Sequence, residues 1–510
     1  MKIFYFLIFT FVFSLAFQAQ TGYDIRFNIK NQKDTTMYLA KYYFNQTTIV
    51  DSSKHIKNGI VQFKGKTDLD KGMYILATQE KARLLDFLVD DNQKFTINAD
   101  RSDMINSMKS SEKENEQLFS YAKFMTQKDR EFRDFQNTLK GKKDSAKTAI
   151  EKANLINSEV KKFESDFLKR NAGTFVHDFI TMKNEKYPDE IPKASNGRPD
   201  SVYQYNYYKN HFFAGMNFKD ERIMYTPFFA ERITRYFDQV ISQHPDSIIK
   251  EIDKIMAQCQ EGSLIFNTLV GHFAYKYETN KSMSFDQYGN SSTMEKVFIH
   301  LADKYITNGK TQGYYSDETI EKIRARVDIL RNLLPGAKVS NLYMLDTDNG
   351  RRILKMGFDT AKTSESVTFL YNKYRNQIEP SFKTLYDVKA KYTILVFWAV
   401  DCGHCKTEIP KLNDTLSVLR NKVDFKVFAV QTREDLMNDW ENFIIEHKLN
   451  DFIHVFDPMH LNNTKEKFDI NATPVIYLLD KDKKIKAKRL GPTQVVEIIQ
   501  TLEKIEKQNN

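Results

Sequence analysis

Cysteine is scarce in this chain, with three in 510 residues. That is too few for a disulfide framework, so whatever thiol chemistry exists is concentrated at a few positions. Basic blocks are also missing. The 76 Lys and Arg and 67 Asp and Glu give a net charge of +9 spread along the length, without the stripe that would track a phosphate backbone. No nucleic-acid partner is expected. Past the first twenty residues no apolar run approaches the roughly 20 residues needed to cross a bilayer as a helix. His211, His244, His272 and His300 are too scattered for a metal site, and neither a metal nor any other cofactor is expected.

What is present begins with residues 1–20, which carry one Lys, an apolar run over 3–17 and the ending Ala-Phe-Gln-Ala-Gln. This has the form of a cleaved secretory signal peptide and predicts delivery to the periplasm or cell envelope. An uncleaved anchor is the alternative. At 510 residues, with 41% hydrophobic and 13% aromatic content, the rest is enough for several packed domains.

Residues 21–101 read as a small antiparallel β-sandwich. β-formers alternate or cluster over 23–29, 36–43, 60–63, 73–78 and 95–97, with turns at Asn58-Gly59 and Lys71-Gly72. Residues 102–333 read as an α-helical region. Proline is absent from 102 to 170, where Leu118, Tyr121, Ala122 and Met125, then Ile156, Val160, Phe163 and Phe167, recur at helical spacing around a hairpin at 140–143. A proline-rich loop over 186–200 precedes further helices. Cys259 lies in this region without a basic cluster, as a buried inert thiol would.

The last region, 334–510, alternates strands and helices, as a mainly parallel sheet covered on both faces does. A hairpin is expected over 342–354 and a helix over 360–377. The chemistry sits in YTILVFWAVDCGHCKTEIP, residues 392–410. A buried strand, a short loop and an amphipathic helix place Cys402 at a helix N-terminus. Backbone N–H groups and the helix dipole there favour the thiolate, and Cys405 lies one turn deeper. A zinc site on Cys402, His404 and Cys405 would need another ligand. Haem attachment needs a His where Lys406 stands. A peroxidase needs a Pro and a Thr at set distances before a lone Cys, and Ala399 and Val400 do not supply them.

Phe397-Trp398-Ala399 before the pair, Lys406 after it and Thr473-Pro474 ahead of the apolar run 475–479 together resemble the thioredoxin superfamily. Glu408 and Pro410, in the order C-K-T-E-I-P, narrow this to the extracytoplasmic TlpA- and ResA-like thiol-disulfide oxidoreductases. The resemblance covers about 334–506. There it implies an α/β thioredoxin-like fold, so that the chain is expected to have an N-terminal antiparallel β-sandwich, an α-helical middle and this C-terminal domain. Cys402 would attack, Cys405 resolve, His404 stabilise the thiolate and Glu408 exchange protons with Cys405. Thr473, in a cis bond to Pro474, and Trp398 would lie on the substrate side.

The implied activity is reduction or isomerisation of disulfides in exported proteins, with a membrane electron donor as second partner. C-G-H-C also occurs in protein disulfide isomerases, so the direction of electron flow stays open. Asp401, where the family usually has Trp, would oppose the thiolate if it faced the sulfur, and Val396 replaces a buried Asp of cytosolic thioredoxins. The rival reading is a secreted partner-binding protein with an auxiliary redox domain.

Overall fold

The computed structural model describes residues 22–54, 56–140, 145–286, 288–361 and 363–509. The expected signal peptide and most of the 140–143 hairpin lie outside the described residues. The chain divides into two compact units, Met1–Ile241 and Ser242–Asn510. The helical stretch read as one region over 102–333 is therefore shared between them.

In the first unit seven strands build a sandwich: β1 (Tyr23–Lys30), β2 (Thr36–Tyr43), β3 (Gln46–Lys54), β4 (Ile60–Gly65), β5 (Gly72–Ala77), β6 (Arg83–Val89) and β7 (Lys94–Asp100). One sheet has the order β4-β1-β7 and continues into a short strand, Lys109–Ser110; the other has the order β3-β2-β5-β6. Alternation sends Ile25, Phe27 and Ile29 of β1 inward. There the Phe27 ring lies 5.2 Å from Phe87 of the facing sheet, so the two inner faces form one core. Pairing is antiparallel except between β1 and β7, which run parallel with Ile25 opposite Phe95. Asn58 and Gly59 both have positive φ, 54° and 72°, as a two-residue hairpin turn requires. A Cβ on Gly59 would come 2.0 Å from the Ile29 carbonyl oxygen.

The helices α1 (Lys113–Thr138) and α2 (Ser145–Arg170) follow as the helical spacing predicts. They run antiparallel, with Phe124 stacked on Phe163 at 3.8 Å, Tyr121 against Phe167 at 5.3 Å, and Glu131 near their far end paired with Lys152.

The second unit opens with the helices α3 (Pro245–Met256), α4 (Leu264–Thr279), α5 (Glu295–Leu301) and α6 (Asp317–Arg331). A short hairpin, Met283–Phe285 with Ser291–Thr293, separates α4 from α5. The sheet that follows has five strands, β8 (Tyr392–Trp398), β9 (Phe425–Gln431), β10 (Ile453–Phe456), β11 (Val475–Asp480) and β12 (Ile485–Lys488), in the order β10-β9-β8-β11-β12. It is mixed. β8, β9 and β10 are parallel, because helices carry the chain across; β11 returns antiparallel to β8 and a tight turn adds β12.

All seven residues of β8 are buried, as a strand covered on both faces demands. Ile394, Val396 and Trp398 face one layer, with α7 (Gly403–Leu416), α8 (Met437–Glu446) and α9 (Pro492–Asn509). Leu395 and Phe397 face the other, which holds Leu342, Leu385, Phe468 and Ile470. The helix expected over 360–377 is present as Ser364–Ile378.

The hairpin expected over 342–354 is corrected. Residues Thr347–Ile353 are helical, and the Asp346 side chain caps them by accepting the Asn349 N–H at 2.9 Å. Asp-Asn-Gly here starts a helix, and Gly350 is small because a Cβ would meet the Phe456 ring at 2.2 Å. Tyr343–Met344 pairs instead with Lys383–Thr384.

Candidate active site

Beyond the end of β8 residues 399–401 turn the chain, and Cys402 becomes the N-cap of α7 with φ −78° and ψ 121°. Its N–H donates to the Ala399 carbonyl at 3.2 Å, and its own carbonyl accepts from Lys406 at 3.1 Å, so the helix starts at the sulfur-bearing residue. The half-buried Sγ donates to the Thr473 carbonyl oxygen at 3.3 Å. Burial raises this thiol. Hydrogen bonding from the Thr473 side chain, from the Cys405 backbone N–H and thiol, and from the His404 backbone N–H together outweighs burial and holds Cys402 below the ordinary cysteine value.

Cys405 differs in every respect. It is fully buried against the Trp398 side of the sheet, and burial above all pushes its thiol up to about 12. All three cysteines are free thiols.

The other residues expected at the site divide. Thr473 and Pro474, joined by a cis peptide bond, are half-buried beside Cys402. His404 is exposed on the first turn of α7. Glu408 is half-buried one turn beyond Cys405. Trp398 requires a correction. The resemblance puts it on the substrate side, yet it is fully buried with its ring 5.4 Å from Phe443. The alternation of β8 turns it into the layer beneath α7, where it packs in the same core as Cys405.

Two features escape the sequence. Asp401 does not stand alone beside the sulfur, because Arg433, two residues past β9, pairs with it and with Asp435 at 2.9 Å. No local spacing links positions 401 and 433; they meet because β8 and β9 are neighbours. Next to Cys402 lies an open groove of about 660 Å³. It is walled by Asp401, Arg433, Asp457 and His460 and by the loop 470–473. Among the described residues no cluster of three His, Cys, Asp or Glu is placed to hold a metal ion.

Comparison with known proteins agrees with this geometry. Residues 375–488 match the AhpC/TSA family. Residues 23–119 and 142–332 match two domains of unknown function, DUF4369 and DUF5106. A thioredoxin-like protein of Haemophilus influenzae is 26% identical over 147 residues, 26% of this chain and 83% of that protein.

Among solved structures, a domain of a possible thiol-disulfide isomerase from Cytophaga hutchinsonii is 35% identical. It covers 34% of this chain and 97% of its own, with a TM-score of 0.26. A thioredoxin-like protein from Bacteroides caccae is 16% identical over 61% of this chain and 97% of its own, with a TM-score of 0.41. The C-terminal part of the chain is a thioredoxin-like domain of the AhpC/TSA family, preceded by the two uncharacterised domains.

Proposed function

We propose that this chain is an exported thiol-disulfide oxidoreductase that reduces or isomerises disulfides of proteins in the periplasm or cell envelope. The observation that supports this most is the opposed setting of the two thiols. One is accessible at a groove and held below its ordinary value; the other is buried and held far above. That is the division of labour between an attacking and a resolving sulfur.

The Cys402 thiolate attacks one sulfur of a substrate disulfide. A Cys402–substrate S–S bond forms, the substrate S–S bond breaks, and the leaving sulfur takes a proton. Cys405, losing its proton, then attacks Cys402 Sγ, releases the second substrate thiol and closes the Cys402–Cys405 disulfide. The substrate gains two electrons and the protein loses two. A thiol electron donor, which we assign to the membrane, restores the dithiol. In isomerisation a substrate thiol attacks the mixed disulfide instead, and no net electrons move.

Glu408, one turn past Cys405, is our candidate for its proton acceptor, and His404 at the rim for a thiolate-stabilising group. The groove beside residues 470–473 suits an extended peptide that pairs with the loop backbone next to Pro474. Export rests on residues 1–20. Asp401 is paired with Arg433, which it shares with Asp435, so its charge beside the groove is offset in part. The preference for reductase or isomerase over oxidase therefore rests on the resemblance, because a stabilised Cys402 thiolate by itself pulls towards the oxidant direction.

Equilibration against glutathione redox buffers tests the proposal. A reversible dithiol with a midpoint below about −150 mV agrees with it, and a midpoint well above that value makes the protein an oxidase.

A further inference from the structure

The last turn of α4, the short connection after it and the helices α5 and α6 supply charges to a cluster that ends at the substrate loop. Asp469, 3% exposed, accepts a forked pair of bonds from Arg326 of α6, one of them 3.0 Å from Nη2 to Oδ2, and a further bond from Arg489. Arg326 also reaches Glu278 at 3.3 Å. Arg489 Nε lies 3.9 Å from Glu295 of α5, which is 1% exposed and 2.6 Å from the equally buried Lys488. Lys281 completes the cluster at 3.7 Å from Glu295. Burial pushes the Asp469 and Glu295 carboxyls up, but their cationic neighbours outweigh it and keep both below the usual range.

Such a cluster is a poor device for stability alone, because apolar side chains of similar volume fill such a space at less desolvation cost. What a forked guanidinium–carboxylate pair provides is fixed geometry. Asp469 is where that geometry matters. Its backbone is left-handed, with φ 51°. Its Oδ1 also accepts the Asn471 side-chain amide at 2.9 Å. Four residues beyond it, the Thr473 carbonyl meets Cys402 Sγ at 3.3 Å. Residues 470–473, between these two fixed points, form one wall of the groove.

We infer that Arg326 is a positioning residue. Reaching from the helical segment, it clamps Asp469 and thereby holds the loop 470–473 in the register that a protein disulfide must meet. The helices ahead of the thioredoxin-like domain are then part of substrate selection rather than a spacer. This inference rests on the proposed oxidoreductase activity.

The test uses the full chain, wild type and Arg326→Met, with Arg326→Lys and Asp469→Asn as companions. Two disulfides are compared: insulin, which needs the loop, and dithiobis(nitrobenzoate), which needs only the Cys402 thiolate. Hydrogen exchange over 470–473 is read on the same samples.

Arg326→Met is expected to lower kcat/KM for insulin by about tenfold or more while turnover of the small disulfide stays within about twofold, as loss of positioning does. Exchange over 470–473 should quicken. Arg326→Lys, which keeps the charge without the fork, should fall between. Equal losses on both disulfides, or no loss on either, overturn the clamp, as does unchanged exchange. If Arg326→Met does not fold, Asp469→Asn, which removes the charge at nearly constant shape, decides by the same readouts. A wild-type chain inactive on both disulfides contradicts the oxidoreductase reading, whereas the exchange result still judges the clamp.

Discussion

Cys402 and Cys259 are the same residue placed at opposite ends of helices, and the contrast shows what turns a thiol into a reagent. Cys402 caps the start of α7, and the His404 and Cys405 backbone N–H groups of the first turn help to lower its thiol. Cys259 lies just past the end of α3, where its Sγ donates to the Ile255 carbonyl at 3.5 Å and burial pushes the thiol up to about 12. Donors at a helix start draw Cys402 towards the anion, whereas at Cys259 burial holds the thiol neutral. Cys405 shows that burial outweighs proximity to a helix start once the sulfur is sealed from water.

Substitution at the three positions should break the contrast most visibly. Cys402→Ser is expected to abolish turnover of disulfide substrates, Cys405→Ser to accumulate mixed disulfides at Cys402, and Cys259→Ser to leave rates unchanged. Trapping assays followed by peptide mapping distinguish these. Mixed disulfides accumulating in Cys402→Ser instead would reverse the assigned roles.

Next in size is the cost of opening the layer that seals Cys405. Trp398→Ala removes a fully buried ring and should destabilise the second unit by about 3–5 kcal/mol, read by denaturant unfolding. A normal unfolding midpoint with a raised KM would restore Trp398 to the substrate side.

Alkylation against pH sharpens the comparison further. Iodoacetamide should label Cys402 with a midpoint below the ordinary cysteine value of about 8.5, while Cys259 and Cys405 stay unlabelled at neutral pH. The signs for stability are opposite. The lowered Cys402 contributes stabilisation that is present above the ordinary value and lost as pH falls through its own. The two raised thiols contribute fully below the ordinary value and cede that contribution as pH climbs towards 12. Thermal melts of the reduced protein should therefore decline in alkaline buffer. The oxidised protein, with Cys259 the one thiol left to titrate, should decline less.

The smallest expected effect is at the rim. Arg433→Ala exposes the sulfur to Asp401 and should raise the Cys402 alkylation midpoint slightly, slowing turnover by no more than a few-fold. Both partners are solvent-exposed and screened. Asp401→Asn should shift it the other way.

Much of this is legible in the chain. The all-buried run of β8, the C-x-x-C spacing and the Thr473-Pro474 dipeptide are local signals, and each reports on its own neighbourhood. What stays hidden depends on contacts between distant positions. β3 gives no pattern to read because its sequence, QTTIVDSSK, is an edge strand without a fully buried residue. Asp348-Asn349-Gly350 has the composition of a turn, and only the Phe456 ring explains the glycine. The Asp401–Arg433 pair and the Arg326–Asp469 fork join residues with no shared periodicity, and only the folded sheet brings them together. Trp398 is placed at the surface by resemblance, whereas both faces of its strand are covered and its parity puts it in the layer beneath α7.

The central claim is that Cys402 and Cys405, and not Cys259, form a reversible redox pair. Differential alkylation of the full chain before and after reduction, with the modified peptides identified by mass spectrometry, tests it most directly. Oxidised protein should show Cys402 and Cys405 protected together and both released by reductant, with Cys259 labelled alike in the two states after unfolding. Protection that fails to appear, or that involves Cys259, would contradict the account.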